Sequence, residues 1–542
     1  MAYNTNGRLP DIQQRKYPVL TKTQKSIVGG MTVLGLAGII CKLVGVLFSI
    51  PLTWLIGADG LGIYQTVFPT YNLLLTVSSA GLPVAVSRMV SHHLAKDDPR
   101  SARRTFHVAL CLLTAIGLIC TILMIAGNNF LVQRVEEPQS SAGFYVIAPC
   151  LVIVCMLSAF RGFMQGQQNM TPTAISQLIE QVGKVFISLP LAYIGAQKSI
   201  AYGAAGALLG ITVVEAVALV YMIVLYMKRR SAFAEIPQLN DHQPDTHAKL
   251  AMQLAKISVP ITIGACIVPL SQFIDSAMLI GRMVDAGLTR EAALPLYGIF
   301  SGTVIKLINV PTALALAVSM SLVPAISAAR TMNDEDGVRR QSDLGLRFAF
   351  LIGFPCSIGM SLLSKPILAF FYEETLSAEH LQVAAELLSV SSLTVVLFTV
   401  VQATSSILQG LNKQRIPMYT LVFGVVLKVA LNYVLVGIPG IDIHGAPVAS
   451  VVCYTASMVP NLFYVCKFAK MKCNWMGWIV RPALATGAMG VVVWAMRELL
   501  PMNRFLTIVE IAIGVVVYVA AALLFKAMTK DDFRALRRRR KA

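Results

Sequence analysis

An all-α, polytopic membrane fold is what the sequence predicts: fourteen transmembrane helices arranged as two six-helix lobes plus two C-terminal helices. Three observations carry this expectation. Hydrophobic residues make up 56% of the 542 and charged residues only 13%, about half the charge that soluble domains need to cover their surfaces. Apolar runs of about 20 residues recur along the whole chain, the length that crosses a hydrocarbon core of about 30 Å. Short motifs also recur in the same order in the two halves, as expected of a duplicated bundle.

The apolar runs fall near 27–56, 62–87, 105–126, 143–166, 173–195, 201–227, 253–280, 295–327, 346–371, 387–410, 416–437, 443–466, 480–498 and 505–527. Backbone N–H and C=O groups in hydrocarbon must be paired within their own segment, so these runs are helices. Residues 1–26 form a polar, basic tail, and the run after them is longer than the apolar part of a cleavable signal, so it stays in the membrane as a span.

Lys and Arg number 45 against 27 Asp and Glu, a net charge of +18. Distributing the basic residues over alternate sides of the spans gives a bias of roughly five to one, which marks the cytoplasmic side and puts both termini there. The tail Arg537 to Lys541 is the densest block and reads as an anchor on anionic lipid. A soluble enzyme is excluded by the low charge density. Nucleic-acid binding is excluded too, because no basic face interleaved with aromatics occurs. The outward loops leave no room for an external catalytic domain, and no G-x-x-x-x-G-K-[ST] loop is present for nucleotide hydrolysis. The ten cysteines form no C-x-x-C pair and read as small buried hydrophobes in a reducing setting, and the seven histidines lack zinc spacing, so neither a metal nor a cofactor is expected.

The duplication is read from 164–205 and 408–447. Met164-Gln165-Gly166 followed by Pro172 parallels Leu408-Gln409-Gly410 followed by Pro417, and Lys184 and Lys428 each stand 18 residues after their glycine. Upstream, Arg103-Arg104 parallels Arg339-Arg340, and Pro51-Leu52 parallels Pro269-Leu270. The expected organisation is a tail (1–26), an N-lobe (27–230), a cytoplasmic linker (231–249), a C-lobe (250–470), two extra helices (471–527) and a basic tail (528–542). Six is an even number, so the lobes insert the same way up and flank a central pathway.

Four lysines lie deep inside spans: Lys42, Lys184, Lys306 and Lys428. Each costs about 2.5–3.5 kcal/mol at mid-bilayer, so each needs a partner or a wet cavity. Lys184 follows Glu180 by four residues, the favourable order for an ion pair on one helix. Lys428 is its counterpart without that acid, with Asn432 one turn on, while Lys42 and Lys306 have no acid within a turn. Unpaired ammonium groups facing a cavity suit a phosphate-bearing anion. Glu180, Glu215 and Asp275 are the candidates for carrying a coupling proton or sodium ion, with simple pairing as the plainer role.

The first spans read Cys41-Lys42-Leu43-Val44-Gly45, Ile50-Pro51-Leu52 and Leu55-Ile56-Gly57-Ala58-Asp59-Gly60-Leu61-Gly62-Ile63-Tyr64-Gln65, and then Ala80-Gly81-Leu82-Pro83. Arg161-Gly162-Phe163-Met164-Gln165-Gly166 runs on to Asn169-Met170-Thr171-Pro172 and Glu180-Gln181. In these motifs the chain resembles the stage V sporulation protein B and YtgP group of polysaccharide-biosynthesis membrane proteins, related to the MurJ lipid II flippases. The resemblance implies a fourteen-helix member of the multidrug/oligosaccharidyl-lipid/polysaccharide exporter superfamily in the cytoplasmic membrane. It implies that the chain flips an undecaprenyl-pyrophosphate-linked saccharide, with membrane lipid and a coupling ion as partners, and that a groove at 480–527 holds the lipid tail. Lys42 and Lys306 stand where such relatives have cavity arginines. Phe48 replaces a further basic residue and Asn309 an acid, leaving a less charged cavity. A drug/cation antiporter would favour cavity acids instead, and a membrane enzyme acting on the same lipid would need a catalytic pair that the sequence lacks.

Overall fold

A computed structural model describes all residues except 1–22, 97, 136, 235–245, 500–503 and 529–542. Most of the N-terminal tail, much of the linker and nearly all of the basic C-terminal tail therefore lie outside the described residues, as do several side chains in the first span, that of Lys42 among them. In chain order the helices are α1 (Thr23–Ser79), α2 (Leu82–Ala95), α3 (Pro99–Ala126), α4 (Asn128–Val135), α5 (Ser141–Gly166), α6 (Thr171–Gly183), α7 (Leu189–Ala196), α8 (Ile200–Ala234) and α9 (His247–Asp285). They continue as α10 (Arg290–Gly298), α11 (Ile305–Thr331), α12 (Glu335–Leu362), α13 (Ser364–Tyr372), α14 (Ala378–Ser391), α15 (Leu393–Gly410), α16 (Arg415–Leu435), α17 (Gly445–Phe468), α18 (Arg481–Leu499) and α19 (Arg504–Leu524). No strand occurs among the described residues.

Thirteen segments of the described residues are long and apolar enough to cross a membrane; twelve overlap one predicted span each, and Leu47–Ala95 covers 62–87 together with the end of 27–56. The rest of 27–56 falls on the first part of α1, where many side chains are outside the described residues. Large apolar side chains such as Phe186, Val516 and Leu524 are 74%, 67% and 77% exposed. Outward Phe and Leu at that density are stable only where lipid replaces water.

Polar residues at the loop edges start the helices. Asp98 accepts from Ser101 N at 2.9 Å ahead of α3, Asp334 from Gly337 N at 2.8 Å ahead of α12, and Ser377 from His380 N at 3.2 Å ahead of α14. Inside the spans, irregularity has local causes. α1 breaks at Gly57, whose φ of 66° and ψ of −171° no side-chain-bearing residue adopts readily. The predicted span 346–371 is interrupted at Leu363, between α12 and α13. π-helical turns occupy Lys184–Ser188, between α6 and α7, and Ile299–Val304, between α10 and α11. Each inserts one extra residue per turn and re-aims the side chains that follow.

One apolar cluster draws on residues of 82–254, a second on 322–478 and a third on 351–527, while the largest combines residues from both halves of the chain. In the third cluster, Ala485, Met489 and Tyr518 of the last two helices pack on Leu351 of α12. α1 bridges the halves by packing on α9 and α10. Asn72 Nδ2 donates to Gln272 Oε1 at 3.3 Å, Gly81 N to Thr262 Oγ1 at 3.1 Å and Tyr297 Oη to Gln65 O at 3.2 Å.

α1 crosses α10 closely. A Cβ on Gly62 would lie 2.5 Å from Leu294 O, and one on Gly298 would lie 2.5 Å from Gly62 N. Both obstacles are backbone, so the helices must separate to admit a methyl group. Gly62→Ala is expected to cost about 1–3 kcal/mol, read as a lower thermal midpoint of the detergent-solubilised protein. Gly487→Ala, where a Cβ meets nothing within 4 Å, is the control and leaves the midpoint in place.

Candidate functional site: charged groups inside the bundle

Two charged clusters lie within the spans. The first is built on α9 and α16. Asp275 and Ser271 are one turn apart on α9, and Lys428 and Asn432 are one turn apart on α16, so the two pairs meet in register where the helices pack. Lys428 Nζ pairs with Asp275 Oδ2 and lies 3.3 Å from Ser271 Oγ, and Asn432 Nδ2 donates to Asp275 Oδ1 at 2.9 Å. The Lys428 and Asp275 side chains are only 14% and 11% exposed. Lys428 has no acid on its own helix, and its acid comes instead from 153 residues earlier in the chain. Asn432 Oδ1 is buried without a hydrogen-bond partner. A cavity of 210 Å³ adjoins the cluster, its wall including Gln272, Asn309, Thr312, Thr394 and Tyr454.

The second cluster gathers around Glu180 on α6. Its partner is not Lys184, the ion pair suggested by the four-residue spacing, but Arg161 of α5. Arg161 Nε also donates to Ser176 Oγ at 2.9 Å. Sequence reasoning missed this guanidinium, because Arg161 stands near the end of its span and reads as a membrane-edge charge. The signal that could have found it is the short turn 167–170, about which Arg161 and Ser176 are symmetric, so that α5 and α6 return on each other. Glu215 of α8 is 6% exposed, its Oε2 has no hydrogen-bond partner, and it lies within electrostatic reach of Glu180, Lys184 and Arg161.

Lys184 opens one π-helical turn and Lys306 follows the other by two residues. Lys184, which is also within electrostatic reach of Glu215, lies within electrostatic reach of Lys306, which belongs to the second half of the chain. Lys306 Nζ stands 5.5 Å from the Phe68 ring centroid, a cation–π contact that offsets part of the cost of burying an ammonium. Two like charges are thereby brought to one region from opposite halves. Lys42 is on α1, with its side chain outside the described residues. The preceding Cys41 has Sγ 3.5 Å from Gln177 O, which seats this turn of α1 against α6. Phe48 is buried at 6% exposure.

Among the described residues, no three His, Cys, Asp or Glu come together that could hold a metal ion. The charged groups inside the bundle thus comprise one basic pair at Lys184 and Lys306, one acid pair at Glu180 and Glu215, and one internally neutralised pair at Asp275 and Lys428.

The family model described as polysaccharide biosynthesis protein matches residues 27–330, more than half the chain, and one described as MatE matches 260–434. Lipid II flippase MurJ of Bacillus subtilis (strain 168) is 27% identical over 464 residues, 82% of this chain and 83% of the relative. Stage V sporulation protein B of the same organism is 26% identical over 454 residues, 83% and 84% of the two chains. Among solved structures, a lipid II flippase MurJ in an inward closed conformation superposes with a TM-score of 0.70 at 13% identity, covering 91% of this chain and 98% of that one. An inward-facing multidrug resistance MATE family transporter of the MOP superfamily superposes with a TM-score of 0.64 at 16% identity, covering 80% and 96%.

Proposed function

Because this chain belongs to the polysaccharide biosynthesis protein family, we propose that it is a flippase for an undecaprenyl-pyrophosphate-linked saccharide, with lipid II as the substrate. Its broader character is a multi-pass membrane transporter with the MOP-superfamily fold. In this reading two lobes, 27–230 and 250–470, alternate access to a central site, and both termini are cytoplasmic. What supports it is the likeness over most of the chain to a lipid II flippase, together with Lys184 and Lys306, which lie in spans of different halves within electrostatic reach of each other. A pyrophosphate offers compact negative charge to both lobes at once and would offset the repulsion between the two ammonium groups. Lys42, which the sequence nominates, and Lys428, once released from Asp275, are the further candidates for holding the anion.

The acid pair Glu180 and Glu215 is the coupling site in this reading. A buried carboxyl oxygen without a partner, as at Glu215 Oε2, is a place for a proton or a small cation, and the Glu180–Arg161 pair would rearrange when it fills. Asp275 is a weaker candidate for coupling, because Lys428 already occupies it.

The test is leaflet-resolved measurement of lipid II in a strain whose only flippase is this protein. Depletion is expected to enrich lipid II in the cytoplasmic leaflet within one generation, and an unchanged distribution would sink the assignment. The unpartnered Glu215 oxygen also favours a second reading, a multidrug/cation antiporter. That reading requires increased sensitivity to cationic drugs on deletion, with lipid II distribution unaltered.

A further inference from the structure

The connector after α17 holds a feature that transport does not use. α17 ends at Phe468, Lys470 takes a left-handed backbone with φ of 51°, and Met471 N donates to Cys466 O at 3.1 Å. This is the reversal that closes many helix C-termini, and it folds the chain back on the last helical turn. Cys473 Sγ thereby comes 2.9 Å from Cys466 Sγ, closer than two unbonded sulfurs rest and not far above the disulfide length of about 2.05 Å. Cys473 is exposed and Cys466 half-buried, so a small oxidant can reach the pair. No other two cysteines of the described residues are in comparable contact.

We propose that Cys466 and Cys473 form a reversible redox site, oxidised by a peroxide to an intramolecular disulfide. The Cys473 thiolate attacks one peroxide oxygen, the O–O bond breaks, and the leaving hydroxide takes up a proton to become water, giving a sulfenic acid. Cys466 sulfur then attacks Cys473 sulfur, the S–O bond breaks, and the departing hydroxide combines with the Cys466 proton as a second water. Two thiols have lost two electrons and the peroxide has gained them.

The disulfide closes a ring from 466 to 473 around Lys470, whose Nζ stands 2.5 Å from Glu335 Oε1 at the start of α12. Phe468, Ala469 and Lys470 also form part of the wall of a 340 Å³ cavity with Arg330 and Lys413. Oxidation therefore stiffens the connector that leads into α18 and α19. In a reducing compartment such a bond is transient, which is the behaviour of a sensor and not of a structural staple.

The wild-type, full-length protein in membrane vesicles is the test material. After hydrogen peroxide and denaturing alkylation, trypsin cuts at the lysines between the two cysteines, so the Cys466 and Cys473 peptides leave joined only if a disulfide links them. The joined species is expected after peroxide, is lost on reduction with dithiothreitol, and is absent in Cys466→Ser, where Cys473 is instead trapped by a sulfenic-acid probe. Complete alkylation of both cysteines after peroxide overturns the proposal. So does a joined species that forms only between copies in a mixture of heavy- and light-labelled protein.

Discussion

Replacing Lys184 and Lys306 together by Ala abolishes rescue of a strain depleted of its own lipid II flippase, while the protein still accumulates in the membrane. The two ammonium groups lie in different halves of the chain and within electrostatic reach of each other, so each would contribute its own charge-assisted contact to a shared anion. Such contacts are worth about 1.5–3 kcal/mol apiece, and losing both weakens binding roughly a hundred-fold or more. The single variants each retain one contact and rescue partially. Arginine at both positions preserves the charge and is expected to restore part of the activity. Full rescue by the double alanine variant would remove the central support for the flippase reading. If Lys306→Ala alone were fully active, the Phe68 contact would be structural, and the anion would have to be held elsewhere.

Asp275→Ala produces the largest loss of stability. Lys428 is then left buried without its carboxylate, and Asn432 Nδ2 loses its acceptor. Breaking one side of a buried ion pair costs about 3–5 kcal/mol, whereas replacing both partners by apolar groups of similar volume is often neutral. The thermal midpoint of the solubilised protein should therefore fall steeply in Asp275→Ala and recover most of the way in Asp275→Leu combined with Lys428→Met. If the single variant melts like the wild type, water or lipid headgroups reach Lys428 and the pair is not sealed. The same comparison bears on transport. Persistence of rescue in the stable double variant would show that this cluster supports the fold and takes no part in carrying substrate or ion.

The spans were legible because membrane insertion is written in local composition. Twenty apolar residues between polar edges specify a helix whatever surrounds them, and Asp98, Asp334 and Ser377 mark starts that the structure caps. Breaks were legible only where a residue type enforces them, as at Gly57 and at the bend before Pro83. The break at Leu363 and the π-helical turns at Lys184 and Ile299 went unread although Pro366 and Pro190 closely follow the first two and Gly298 precedes the third, because a proline or glycine inside an apolar run marks an irregularity without saying which form it takes.

Charge partners were hardest to read. The i to i+4 spacing of Glu180 and Lys184 is a favourable local pair, yet Arg161 on the adjoining helix wins, since a guanidinium can reach the carboxylate and Ser176 together. Lys428 looked unpaired because its acid is supplied by α9, far off in sequence. The cysteines read as inert hydrophobes, which holds for buried Cys150 and Cys155 but not for the contact between Cys466 and Cys473, made by a chain reversal at Lys470.

By itself, then, the sequence determined that this is a polytopic helical membrane protein, where its spans lie and which ionisable residues are inside them. Only the tertiary structure decided which of those charges neutralise one another. Solvation by lipid is a property of each segment taken alone, whereas the energy of a buried charge depends on groups a few ångströms away that the chain brings together from opposite halves.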